Sequence, residues 1–184
     1  FFGVVSPPDE KGYCSFGNTL WYNKDVALAA KCFVAEVDPS FIRTPGDNFI
    51  HVSEIDHLVE ETKPFPVGTP PPPDDEQGTL EVIGEFASSL IRDGDTVQMG
   101  IGAISEAIGL FLMDRNDLGI HSELMTASHV DLVKCGVATG KYKTTHKGKA
   151  VAAMAVGGAD LEFVDNNPVF ELHSVLYTNS LPNI

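Results

Sequence analysis

Compact apolar runs and amphipathic stretches alternate along the chain. In its first part, apolar runs at 1–5 and 32–37 predict two strands, and an Ala- and Leu-rich segment at 25–30 predicts a helix between them. Weaker alternation of apolar and polar positions at 49–52 and 57–59 predicts further short strands. The first part is therefore expected to form an α/β unit.

The pattern becomes more regular after residue 78. Apolar residues recur at helical spacing at positions 80, 83, 86, 87, 90 and 91, which predicts an amphipathic helix. Further helices are predicted at 105–113, 128–135 and 160–165, and apolar strands at 96–99, 119–124, 151–156 and 169–173. Because compact apolar strands that alternate with helices are typical of covered parallel sheets, we expect an α/β fold of open, mainly parallel sheets flanked by helices.

A proline-rich segment divides these two parts. Six of the chain's twelve prolines lie between Pro64 and Pro73. Proline fixes φ and removes a backbone donor, which favours an extended spacer. We predict an interdomain linker at 63–78, between the C-terminal part of a first α/β domain at 1–62 and the N-terminal part of a second at 79–184.

Charge, cysteines and histidines exclude several classes of function. The chain has 12 Lys and Arg residues against 26 Asp and Glu residues, a net charge of -14, which argues against nucleic acid as a partner. Its three cysteines are widely spaced, which fits a reducing compartment such as the cytoplasm. No apolar run approaches the ~18 residues of a membrane span. The six histidines show no HxH or HExxH spacing, so no metal site is expected. The chain begins with Phe1 inside an apolar run, which suggests a piece of a longer protein.

The most informative stretch lies between residues 96 and 124. The strand at 96–99 runs into a glycine turn, and a helix follows. Glycines let a ligand approach the backbone, and the free N–H groups of a helix start favour an anion. Glu123 ends the next strand, so both features are expected at the carboxyl edge of a parallel sheet, where such sheets bind ligands. The turn consists of Gly100, Ile101, Gly102, Ala103 and Ile104.

Three interpretations of this stretch remain open from the residues themselves. In the first, a nicotinamide dinucleotide binds the turn and Glu123 contacts a ribose, although Ser105 stands where the fingerprint requires a third glycine. In the second, Glu123 is a nucleophile that faces a thioester held over the turn. In the third, the glycines only form a tight turn and Glu123 is a solvated carboxylate.

Several strings of the sequence also indicate a family. GIGAI at 100–104, DLGIHSE at 117–123, FVDNNP at 163–168, SPPDE at 6–10 and GYCS at 12–15 resemble the acetyl-CoA hydrolase/transferase family, a group of class I CoA-transferases. The resemblance implies two domains of this family's type, each only partly present in the chain. It implies Glu123 as the carrier of the acyl group and of CoA. It also implies that Gly100, Ile101, Gly102, Ala103 and Ile104 line the CoA site.

The implied activity moves CoA from an acyl-CoA to a short-chain carboxylate of the acetate or 4-hydroxybutyrate type through a glutamyl-CoA thioester. Acyl-CoA hydrolysis is the alternative within the family. The implied substrates are acyl-CoA and a small carboxylate, with no metal, no membrane and no nucleic acid as partners. We expect a homo-oligomer, such as a dimer, or association with the enzyme's remaining segments. The location is expected to be cytoplasmic, or mitochondrial in a eukaryote.

Two further expectations concern residues around this site. Four lysines lie within nine positions with no acidic residue between them: Lys141, Lys143, Lys147 and Lys149. They are either candidates to pair with the phosphates of CoA or part of a solvated loop. His121 stands two positions before Glu123 and would share its face in a regular strand. It is thus either a residue that orients the carboxylate or the acceptor, or a hydrogen-bonded structural histidine.

Overall fold

The computed structural model describes residues 1–60, 77–156 and 158–184, so the linker expected at 63–78 lies almost wholly outside the described residues. In the first part, a parallel sheet has the order β1-β3-β5, and β2 pairs with β4 in antiparallel fashion. The strands are β1 Phe2–Val5, β2 Tyr13–Ser15, β3 Val34–Val37, β4 Phe49–His51 and β5 His57–Glu60; helix α1 is Asn23–Ala29, and a 3₁₀ turn spans Val52–Glu54.

The second part is built around a parallel sheet with the order β6-β7-β9-β11. Strands β8 and β10 form a separate parallel pair. The elements are α2 Gln77–Ser89, β6 Thr96–Val97, α3 Ala103–Phe111, β7 Gly119–His121, β8 Leu124–Met125, α4 Ala127–Lys134, β9 Ala150–Ala152, β10 Met154–Ala155, α5 Leu161–Val164, β11 Phe170–Leu172 and α6 Val175–Thr178; a 3₁₀ turn spans Leu181–Asn183. The expected α/β fold with parallel sheets and flanking helices is confirmed.

Two predicted strands are interrupted. The strand expected at 119–124 divides into β7 and β8, and the strand expected at 151–156 divides into β9 and β10. The two breaks lie side by side, because the N–H of Ala153 donates to the carbonyl of Glu123 at 3.0 Å. The apolar pattern does not reveal the breaks, since the residues on both sides are largely buried. Glu123 therefore lies in an irregular segment between two strands.

Aromatic and aliphatic side chains fill the interior of both parts. In the first, Phe33 stacks between Phe1 and Phe16, with ring centroids 5.3 and 6.3 Å away. In the second, Leu118, Ile120 and Phe170 are at most 1% exposed. Burial of one such side chain contributes roughly 1.5–3 kcal/mol.

Loops of the first part cover strand edges of the second. The N–H of Leu172 donates to the carbonyl of Pro45 at 2.8 Å, and the N–H of Asp47 donates to the carbonyl of Leu172 at 2.9 Å. Gly46 allows this close approach, because a Cβ there would lie 2.2 Å from the carbonyl oxygen of Leu172. The edge of β11 is thereby paired along this stretch.

Among residues 1–60, 77–156 and 158–184, no helix combines the length and the apolar character that crossing a membrane requires.

Candidate functional site

The glycine turn lies between β6 and α3, as the sequence indicated. Gly102 is the N-cap residue of α3 and has a φ of 113°, a conformation that L side chains rarely adopt. No side chain caps the helix, so the backbone N–H groups at its start have no side-chain acceptor from the N-cap residue. Gly100 is exposed, and Ile101 and Ile104 are 64% and 50% exposed. The turn thus offers donors and apolar surface together.

A groove opens beside this turn. It has a volume of about 570 Å³ and lies between α2 and the start of α3. Apolar side chains form much of its wall. Its lining residues are Thr79, Leu80, Ile83, Ile101, Gly102, Ala103 and Ile104. An apolar groove that ends at a helix N-terminus suits a ligand with an uncharged chain and an anionic or polar end.

Glu123 is held close to the end of β6. The hydroxyl of Ser122 donates to the carbonyl of Met99 at 3.1 Å, and these two residues directly precede Glu123 and Gly100. Because this contact joins the two segments, the structure brings the glycine turn and the candidate nucleophile to the same edge of the sheet. This is the arrangement expected from the order of strands and turns in the sequence.

Helix packing fixes the two segments relative to each other. The carboxylate of Glu106 in α3 accepts from the backbone N–H of Ser128 in α4 at 3.1 Å. A Cβ at Gly109 would lie 2.4 Å from the Cβ of Ser128, so the helices approach closely at this point. Helix α3 starts at the glycine turn and α4 follows Glu123 after strand β8, so this contact stabilises the geometry of the site.

Asn179 contacts the carboxylate of Glu123. Its side-chain amide donates to Oε2 of Glu123 at 2.5 Å, and the two residues are 56 positions apart. Asn179 is the C-cap residue of the short helix α6, which the sequence analysis did not predict. No local sequence pattern predicts a contact between Asn179 and Glu123, because the two residues are so far apart in the sequence. Only the folding of α6 over the ends of β7 and β9 brings them together.

His121 does not contact Glu123. Its ring is 7% exposed, and Nε2 donates to the carbonyl of Thr178 at 3.1 Å. Burial lowers the pKa of His121, so the neutral ring is favoured. Because the strand is interrupted after β7, the condition under which residues 121 and 123 would share a face is not met. The geometry supports the structural alternative for this histidine.

The structure does not place all four lysines of the segment 141–149 on the surface. Lys143 is 6% exposed, and Nζ donates to the carbonyls of Ile120 and Lys149 at 2.6 and 2.8 Å. Burial lowers its pKa to about 8. Lys141 pairs with Asp117 at 3.0 Å. The expectation for Lys143 is therefore wrong, because its stem packs inside the sheet layer rather than facing solvent.

A polar cluster that residue spacing does not reveal lies beside α6. One ring nitrogen from each of His146 and His173 and a carboxylate oxygen of Glu171 lie within 4.8 Å of one another. Oε2 of Glu171 accepts from Nδ1 of His146 at 2.6 Å and from Nε2 of His173 at 3.2 Å. Nε2 of His146 is 2.7 Å from the hydroxyl of Tyr177. The ammonium of Lys149 lies 3.8 Å from Oε1 of Glu171. These contacts describe a hydrogen-bonded network, although the residue types also occur in metal sites.

Comparison with known proteins relates the chain to CoA-transferases. It is 48% identical over 178 residues to 4-hydroxybutyrate coenzyme A transferase of Clostridium kluyveri, covering 96% of this chain and 41% of that protein. It is 40% identical over 182 residues to succinyl-CoA:cyclohexane-1-carboxylate CoA transferase of Geobacter metallireducens, covering 98% of this chain and 41% of that protein. No family model matches the chain.

A solved structure supports the same relation. The chain superposes on the crystal structure of 4-hydroxybutyrate CoA-transferase from Porphyromonas gingivalis with a TM-score of 0.89 and 39% identity, covering 99% of this chain and 46% of that one. The resemblance indicated by the sequence motifs is thus confirmed. The chain spans about two-fifths of the length of the curated relatives it matches.

Proposed function

We propose that Glu123 is the nucleophile that transfers CoA from an acyl-CoA to a small carboxylate. The homology of the chain to CoA-transferases over almost its whole length supports this proposal. The observation that carries this proposal is the geometry around one carboxylate. Glu123 is half-buried, Asn179 donates to its Oε2, and the contact between Ser122 and Met99 holds it beside the glycine turn.

The reaction begins with attack of a Glu123 oxygen on the thioester carbonyl. The carbon–sulfur bond breaks, and the products are an acyl-glutamyl anhydride and CoA thiolate. The thiolate then attacks the carbonyl carbon of Glu123, which releases the first acid and leaves a glutamyl-CoA thioester. The acceptor carboxylate reverses both steps, forming its own CoA thioester and regenerating Glu123. No net proton is consumed, because a carboxylate enters and a carboxylate leaves.

Asn179 has a defined role in these steps. Before reaction, its N–H group orients Oε2 of Glu123, so that the other carboxylate oxygen is directed to the thioester. When thiolate attacks the glutamyl carbonyl, the same donor faces an oxygen that gains negative charge. Preorganised donors at such oxygens lower barriers by roughly 3–4 kcal/mol in other enzymes.

The glycine turn and the neighbouring groove are proposed to hold CoA. The groove between α2 and α3 has apolar walls at Leu80, Ile83 and Ile104, which suits the uncharged arm of CoA. The N–H groups at the start of α3 suit its polar and anionic groups. These contacts orient the thioester towards Glu123 and need no charged side chain from the segment 141–149.

The test uses the natural polypeptide with acyl-CoA and no acceptor. CoA is expected to remain attached to the peptide that contains His121, Ser122 and Glu123, and borohydride should reduce this thioester and inactivate the enzyme. Glu123→Gln keeps the shape of the side chain without its charge, so transfer should fall by about 10³-fold or more while acyl-CoA still binds. Glu162→Gln, on the exposed face of α5, is the matched control and should transfer normally.

The alternatives give different results in the same experiment. A hydrolase forms the same adduct, but water replaces the acceptor carboxylate. The free acid is therefore released continuously, at the full turnover rate, without an acceptor. A nicotinamide-dependent enzyme forms no adduct, and Glu123→Gln weakens only nicotinamide binding. Near-normal CoA transfer by Glu123→Gln would rule out the proposed nucleophile.

A further inference from the structure

The network beside α6 has a defined proton arrangement. Oε2 of Glu171 accepts hydrogen bonds from Nδ1 of His146 and from Nε2 of His173. Burial raises the pKa of Glu171, but the bonds from His173 and His146 outweigh this and hold it below its usual value. The carboxylate is therefore charged at neutral pH. The facing nitrogen of each imidazole carries a proton and donates it to this carboxylate.

The same imidazole binds Tyr177 on its other side. Nε2 of His146 forms a hydrogen bond with the hydroxyl of Tyr177 over 2.7 Å. Carboxylate, imidazole and phenol thus form one chain of hydrogen bonds. The backbone of His146 has a φ of 47°, in the left-handed region that residues with a side chain seldom adopt. The surrounding contacts hold this conformation and with it the position of the ring.

Helix α6 connects Tyr177 with the candidate nucleophile. The carbonyl of the next residue, Thr178, accepts from His121, and the amide of Asn179 donates to Glu123. The helix spans Val175–Thr178, which is about one turn, and an isolated helix of this length is not stable in water. Its position therefore depends on anchors from other segments, and the Tyr177 hydroxyl is a side-chain anchor next to the residues that touch the site.

We propose that Tyr177 is a positioning residue for CoA transfer: its hydroxyl, bound to His146 and through it to Glu171, fixes α6 so that Asn179 meets the carboxylate of Glu123. This inference rests on the proposed role of Glu123. It predicts that removal of the hydroxyl moves the donor at Glu123 without removing any group that touches CoA.

The test is Tyr177→Phe in the natural polypeptide, which removes one oxygen and keeps the ring. Since a displacement of about 1 Å at a reacting group can cost about 100-fold, we expect kcat to fall by roughly 10- to 100-fold. KM for acyl-CoA should change by less than about twofold, because no binding group is lost. Formation of the glutamyl-CoA adduct should slow by the same factor as kcat. Tyr22→Phe, at a half-exposed tyrosine before α1, is the matched control.

A double-mutant cycle identifies the path of the effect. Asparagine tolerates a positive φ, so His146→Asn keeps the backbone and removes the ring that binds Tyr177. If Tyr177 acts through His146, the double variant should lose no more activity than the more impaired single variant. Losses that multiply would overturn the proposed path. If Tyr177→Phe does not fold, the kcat and KM of His146→Asn decide the question in its place.

The outcomes separate this inference from the proposed function. Transfer that survives Glu123→Gln overturns both. Loss of transfer in Glu123→Gln together with a kcat within about twofold of wild type in Tyr177→Phe overturns the positioning role only. A lower melting temperature of Tyr177→Phe with unchanged kcat shows a merely structural tyrosine and also overturns it.

Discussion

Acidification should destabilise the chain through His129 in α4. The ring is 0% exposed, and Nδ1 accepts from the backbone N–H of Thr126 at 3.2 Å. The proton of the neutral ring is thus on Nε2, which has no hydrogen-bond partner among the described residues. Burial disfavours the charged imidazolium and lowers the pKa of His129 to about 4 from an ordinary value of 6.5.

The size and sign of the effect follow from proton linkage. Between pH 6.5 and 4, the unfolded chain binds a proton at His129 that the folded chain does not bind. The free energy of unfolding therefore falls as the pH decreases through this window. At about 1.36 kcal/mol per pKa unit, the loss amounts to about 2 kcal/mol at pH 5 and about 3 kcal/mol at pH 4.

The assay is urea unfolding of wild type and His129→Asn, followed by circular dichroism from pH 8 to pH 4.5. Asparagine offers an acceptor to Thr126 but does not titrate. The free energy of unfolding of the wild type, relative to that of His129→Asn, should therefore fall by about 2 kcal/mol between pH 8 and 5. His57→Asn, at an exposed position of β5, is the matched control. A difference between wild type and His129→Asn that stays constant within about 0.5 kcal/mol over this range would refute the reasoning.

Three further predictions concern the site and its support. Asn179→Ala removes the donor to Glu123 and should lower kcat for CoA transfer by about 10²- to 10³-fold in steady-state kinetics. A variant whose KM rises by a larger factor than its kcat falls would contradict the proposed role. Gly102→Ala should raise KM for acyl-CoA, because the new methyl group would need a positive φ and would enter the groove proposed to hold CoA, although no atom of the protein lies within 4 Å of it. Gly78→Ala, equally open but helical, should leave KM unchanged. Lys143→Met leaves two buried carbonyls without a donor and should lower the free energy of unfolding by about 1–3 kcal/mol at pH 7. Because the folded pKa of Lys143 is lowered to about 8 from 10.5, wild type should gain stability relative to this variant between pH 8 and 10.5, and urea unfolding that shows no such gain would contradict the assignment.

Local patterns predicted the helices and strands of the second part well. The helix expected at 105–113 is observed as Ala103–Phe111, and the helix expected at 128–135 as Ala127–Lys134. Their amphipathic periodicity depends on neighbours three and four positions away, so the sequence is sufficient to reveal it. The break after β7 was missed because residues on both sides remain buried, and burial rather than alternation controls the residue types there.

The candidate site was predictable only in part, for the same reason. The glycine turn and Glu123 are each recognisable from a short segment, and strand order predicts that they meet at one edge of the sheet. Asn179 reaches Glu123 from 56 residues further along the chain, and Tyr177 reaches His146 from 31 residues away. The lysines at 141–149 look alike in sequence, yet one of them is buried, because its stem packs against Gly119.

By itself, then, the sequence determined the α/β class, the alternation of strands and helices and the glycine turn, and its family motifs pointed to Glu123 as the candidate nucleophile. All of these follow from interactions within a few residues or from motifs that lie in one segment. The tertiary structure decided which side chains surround Glu123, which lysine is buried and that His146, Glu171 and Tyr177 form one hydrogen-bonded network beside α6. These contacts join segments that only chain packing brings together, and no periodicity along the chain encodes which of them will meet.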